Sequence, residues 1–255
     1  MTRASPRAQL HSSRLWRFLT ENGMASPALA AGDVGQQLGD WLDFRQAIAL
    51  HGILNPESPP LADSPRPRAT VKPEALRLHV NKVRTALEQS ITQGATAGSG
   101  LARIDMPPSV LDEPVDPKRA FEPWRRFIAS HQRQMETIVR TLRAQVRSQL
   151  AQGTPAQRQL ATLDTAFENI LVEREARLLY TVSQMLEKRF AQALKQHLKP
   201  AADPVAQASE SPGPLPWLTA LNQDVRSALL AELDTRLQPT LGLLEAFTPE
   251  STSSL

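Results

Sequence analysis

Between Pro73 and Gly94 the apolar residues Leu76, Val80, Val83, Leu87 and Ile91 recur at steps of four, three, four and four. Such steps return to one face of an α-helix and predict an amphipathic helix over residues 73–93. The same rhythm runs without a break from Pro117 to Gln152, where Phe121, Trp124, Ile128, Met135, Ile138, Leu142, Val146 and Leu150 mark the buried side. At about 1.5 Å per residue this helix is about 50 Å long. Gly153 is expected to end it in the left-handed conformation, Thr154 to cap the next helix and Pro155 to fill its first turn. That next helix carries Leu160, Leu163, Phe167, Ile170, Leu171, Leu178, Val182, Met185, Phe190 and Leu194 and runs to about His197. So short a connection leaves room only for an antiparallel neighbour, a long helical hairpin over residues 118–198.

The flanks follow the same logic. Residues 1–54 read as a small helical unit. Ser12 or Ser13 caps a helix with Leu15, Trp16, Phe18 and Leu19, and Asp33 caps a second with Val34, Leu38, Trp41 and Leu42. Ala47, Ile48 and Leu50 extend or restart that helix. A final helix over 217–247 carries Trp217, Leu218, Leu221, Val225, Leu229, Leu233 and Leu237, and Pro239 is expected to break or kink it. Residues 55–72 and 199–216 are Pro-rich linkers, residues 94–117 a flexible one, and residues 248–255 a disordered tail. No segment alternates in the manner of a strand. The expected fold is all-α: a long antiparallel αα-hairpin, coiled-coil-like, with a small N-terminal helical unit and Pro-rich linkers.

Composition removes several kinds of chemistry. The chain of 255 residues has no cysteine, which excludes disulfides, thiolate metal sites and a thiol nucleophile. No apolar run approaches the roughly 20 residues that span a bilayer. Arg14, Arg17 and Glu21 interrupt the place where a signal peptide needs an unbroken apolar core, so a cytoplasmic protein is expected. The histidines His11, His51, His79, His131 and His197 lie on separate segments, with His131 on the seam of the long helix as a hydrogen-bonded core residue. Gly94 to Gly100 lacks the Lys-Ser/Thr of a phosphate loop, and no HExxH appears. No catalytic group, cofactor or metal is expected, and the chain does not read as an enzyme.

Charge changes the picture more. Residues 118–147 carry eight basic side chains against two acidic ones, whereas residues 201–255 carry two against seven. Five of the arginines, Arg119, Arg126, Arg133, Arg140 and Arg147, stand seven residues apart. With Phe121, Ile128, Met135 and Leu142 at heptad position a, all five fall at position f, farthest from the seam. Arg143 adds a further charge. The plainest reading is a solvated outer face, with i,i+4 pairs from Glu122 to Arg126 and from Glu136 to Arg140. Arg119, Arg133 and Arg147 have no partner at that spacing. The second reading makes the row a docking face for an acidic protein, and the third a nucleic-acid site with marked salt dependence. The acidic C-terminal helix is a rival partner inside the molecule, expected to fold back on the hairpin.

The stretch Gln37-Leu38-Gly39-Asp40-Trp41-Leu42-Asp43-Phe44, followed by Ala47-Ile48-Ala49-Leu50, resembles a family of proteobacterial proteins. So do Phe121 to Phe127, Met135, Leu163-Asp164 and Glu173-Arg174-Glu175. That family is domain of unknown function 3348, and the resemblance covers nearly the whole chain. It implies a mostly helical bacterial protein with no assigned activity, so no functional residue carries over. It also implies a cell-envelope system as partner, on the strength of neighbouring genes alone. The residues themselves point to a non-catalytic helical adaptor or assembly factor that binds another protein or itself, with nucleic-acid binding through the arginine face as the alternative.

Overall fold

Six helices account for the regular structure of the described residues: α1 (Arg14–Glu21), α2 (Phe44–Leu54), α3 (Pro73–Gln93), α4 (Glu122–Leu150), α5 (Pro155–His197) and α6 (Pro216–Glu245). The computed structural model describes residues 14–21, 42–55, 72–95, 98–111, 114–199 and 214–247. Among them there is no strand, and the class is all-α.

Local chemistry sets the ends. Pro73, Pro155 and Pro216 each open a helix, where a missing N–H costs nothing. Gly94 closes α3 with φ +88° and donates its N–H to the Ser90 carbonyl at 3.2 Å. α2 opens on a capping box: Asp43 accepts the Gln46 N–H at 2.7 Å, and Gln46 accepts the Asp43 N–H at 3.0 Å. The cap expected at Asp33, with Val34, Leu38 and Trp41 behind it, lies outside the described residues, as do Ser12, Ser13, residues 56–71 and the tail.

Several local expectations are overturned. The long helix does not begin at Pro117. Residues 117–120 form a turn in which Arg119 and Ala120 both donate to the Asp116 carbonyl, at 3.1 and 2.9 Å, and α4 starts only at Glu122. Pro123 explains the delay, because a helix begun at 117 would hold it in the interior, where it cannot donate and its ring meets the Arg119 carbonyl. Gly153 is not among the glycines with positive φ. Its missing side chain serves close approach instead, since a Cβ there would collide with the Gln157 carboxamide. That group accepts the Thr154 N–H at 2.9 Å and donates to the Ala246 carbonyl at 2.9 Å. Of the break or kink expected at Pro239 only the break is overturned, because α6 continues through it to Glu245. Here the buried Leu237, Leu243 and Leu244 hold together what the lost backbone bond would loosen.

The chain forms two compact units, each assembled from separated stretches. The first takes residues 1–83, 138–175 and 234–255, and the second residues 84–137 and 176–233. In each, segments of α3, α4, α5 and α6 share a core. Within the second unit, Arg125 of α4 reaches Glu187 of α5 while Gln132 reaches Ser183, so these helices run antiparallel. Trp124 meets Asn222 and Gln132 meets Glu232, so α6 runs parallel to α4 there. The C-terminal helix thus packs on the hairpin as expected. Leu218, Leu229 and Leu233 are buried in the second unit and Leu237 in the first.

In the first unit α1 adds Leu15, Phe18 and Leu19 to the core, whereas α2 adds only Leu50. Residues 101–111, expected as part of a flexible linker, are pinned to the second unit. Pro107 is buried there, and Ser109 takes the Leu215 N–H at 2.7 Å.

Candidate docking surface

The buried positions of α4 are Trp124, Phe127, Ile128, His131, Met135, Val139, Leu142, Val146 and Leu150, and apart from Phe127 they step by three and four with four in excess. This is the repeat of a straight helix in a multi-helix core, not the strict seven-residue repeat of a two-stranded coiled coil. A row stepping by seven therefore slips about 20° per heptad against the buried stripe, or about 60° from Arg126 to Arg147. The row begins opposite the core and ends on its flank.

Side-chain surroundings follow that slip. In the second unit Arg119, Arg126 and Arg133 are exposed and make no ion pair among the described residues. Arg119 sits on the turn ahead of α4, not on the helix. The expected pair from Glu122 to Arg126 is absent. Glu122 is taken by Arg125, which also reaches Glu187 at 2.5 Å and lies over the Phe121 ring. In the first unit Arg140 is exposed but not free of partners.

Arg143 and Arg147 are not solvated charges. Their side chains keep only 14 % and 18 % exposure, and they share Asp164 of α5 at 2.6 and 2.9 Å. Arg147 also holds Glu168 at 2.6 Å. Burial lowers the Arg147 pKa, but the bonds and charges of Glu168 and Asp164 outweigh it, and the net shift is upward. The guanidinium without an expected partner is thus among the best partnered. The signal lay in the sequence as two i,i+4 pairs, Arg143/Arg147 before the turn and Asp164/Glu168 after it, which an antiparallel hairpin brings together.

The acidic residues of α6 make no ion pair with Arg119, Arg126 or Arg133. Asp224 pairs with Arg189 at 2.8 Å in the second unit, and Asp234 pairs with Arg14 at 3.2 Å in the first. Glu232 is buried and accepts from Gln132 at 2.9 Å.

A second open surface lies on α2. Phe44, Ile48 and Leu54 are 81 %, 57 % and 55 % exposed and share one face of the helix, with Ala47 and His51 between them. Leu50, one turn before Leu54, is the buried side chain of α2, and Gln159 donates to the Ile53 carbonyl at 2.9 Å.

Two open grooves of about 510 and 530 Å³ flank the outer side of α4 in the first unit, sharing Ala144 and Ser148. In the first, the Thr162 and Thr165 hydroxyls are committed to the Arg158 and Ala161 carbonyls at 3.1 and 3.0 Å. His131 is in the core of the second unit, 1 % exposed, edge-on to Phe127. Contrary to expectation its Nε2 has no hydrogen-bond partner. Burial lowers its pKa to about 4, so it is neutral at pH 7. Among the described residues no group of three or more His, Asp or Glu is placed to hold a metal, and no helix is long and apolar enough to cross a membrane.

An all-α protein, with an arginine face open on the part of α4 in the second unit, is the class that the geometry defines. The chain belongs to the DUF3348 family, described as a protein of unknown function, whose model matches residues 1–249. No curated protein and no solved structure matches it.

Proposed function

We propose that this protein is a non-catalytic adaptor or assembly factor that binds another protein, or a second copy of itself, through helix surfaces its own core leaves open. The observation that carries the reading is the state of Arg119, Arg126 and Arg133, three exposed guanidiniums without an ion pair among the described residues. The arginines of this row that the fold uses are turned inward onto carboxylates, and these three are not. The apolar face of α2 supports the same reading from a different surface. A cytoplasmic setting is part of the proposal, and a cell-envelope partner rests on the family resemblance alone.

Affinity purification from native cells tests it, comparing wild type with a variant carrying Arg119, Arg126 and Arg133 changed to Gln. The expected result is a specific co-purifying protein that the variant loses. A variant that retains every partner removes the arginine face from the proposal. Nucleic acid is the rival ligand for this face, and filter binding at two salt concentrations separates the two, because phosphate binding falls steeply as salt rises.

A further inference from the structure

We propose that the partner of the exposed arginine face is an acidic helix with carboxylates at seven-residue spacing, lying along the outer side of α4 in the second unit. The inference rests on the docking reading above and adds the shape of the ligand. Arg126 and Arg133 stand seven residues apart on a continuous helix, about 10.5 Å along its axis. Ala129 and Ser130 lie between them, half-buried and small, so the ground between the two guanidiniums is low. Thr137 follows on the same side. Arg125, the other arginine of that turn, is committed to Glu122 and Glu187 and is not available to a ligand. Arg119, on the turn ahead, supplies a third free charge beyond the N-terminal end of the pair.

A second helix is the ligand that matches this layout. Its own carboxylates repeat at the same ~10.5 Å when spaced by seven, so both guanidiniums are met at once and the small residues let the backbones approach. One strand of a nucleic-acid duplex instead advances about 3.4 Å per phosphate while winding away from a straight row. Single exposed ion pairs contribute little, so binding depends on several pairs formed in register, and it weakens as salt screens them.

The test uses the full chain and two fluorescent helical peptides of identical composition, one with Glu at every seventh position and one with the same glutamates scrambled. Binding is read by anisotropy at low salt, for wild type and for the R126Q/R133Q variant. The heptad peptide is expected to bind wild type roughly tenfold more tightly than the scrambled one, a preference the variant loses. Equal binding of the two peptides, or a preference that survives R126Q/R133Q, overturns the proposal. So does a DNA duplex that binds more tightly than the heptad peptide and loses that binding in the variant. If the peptides fail while capture from native cells still depends on these arginines, the docking reading stands and the helical geometry falls.

Discussion

The indole N–H of Trp124 donates to the Asn222 side-chain oxygen at 2.6 Å, both residues being buried in the second unit. The same Asn222 donates from its amide nitrogen to the Pro107 carbonyl at 3.3 Å and the Ser109 hydroxyl at 3.1 Å. One asparagine therefore ties α4, α6 and the loop before α4 into a single core. Changing Asn222 to Leu keeps the γ-branched shape but leaves the Trp124 N–H and the Pro107 carbonyl buried without partners. A loss of about 2–4 kcal/mol is expected from two such orphaned groups. Urea unfolding followed by tryptophan fluorescence measures it, and hydrogen exchange should show the loop at 101–111 opening first.

The two ends of the arginine row should respond oppositely to mutation. Asp164 receives both Arg143 and Arg147 at 9 % exposure, so Asp164→Asn leaves two half-buried cations short of charge. The expected cost is about 2–3 kcal/mol, below that of a fully buried pair because water reaches part of the cluster. Arg126→Gln and Arg133→Gln should change stability by no more than about 0.5 kcal/mol. Chemical denaturation of the three variants decides between a structural and a free role for each charge.

His131 gives a pH signature. Its folded pKa, lowered to about 4, lies below the unfolded value of 6.5, so the unfolded chain takes up the proton first as pH falls. The stability this neutral histidine allows is complete above pH 6.5 and is lost progressively as pH falls from there through about 4. The loss amounts to about 3 kcal/mol. In His131→Leu this pH-dependent loss should be absent, so the variant gains about 3 kcal/mol on wild type as pH falls across that window, which a pH series of urea midpoints reads directly.

Gly153 leaves room for the Gln157 carboxamide and does not act through a left-handed backbone angle. In Gly153→Ala the new methyl displaces the Gln157 carboxamide, which then forfeits its bonds to the Thr154 N–H and the Ala246 carbonyl. A destabilisation of about 1 kcal/mol is expected, typical of a lost helix cap. Gln157→Ala should cost a similar amount, and the double variant little more than either alone, since both act on one group.

Removing residues 214–255 takes α6 from both units. Leu218, Leu229, Leu233 and Leu237 leave with it, together with the partners of Trp124 and Arg189. The truncated chain should lose its cooperative thermal transition and bind ANS through the uncovered core. A sharp transition at the wild-type temperature would show the hairpin to be self-sufficient.

What the sequence determined by itself is local. The start at Pro73, the stop at Gly94 and the cap at Thr154 depend on groups within a few residues of one another, so chain order suffices to read them. The late start of α4 is local in the same way, because Pro123 bars a helix begun at Pro117. The tertiary structure alone decided what each arginine is for. A seven-residue repeat slips against a 3.6-residue helix, so the row that looks uniform in sequence turns from solvent at Arg126 to Asp164 at Arg147. Which carboxylate waits there, and that Asn222 holds a loop expected to be free, depends on residues far apart in the chain that meet only through packing.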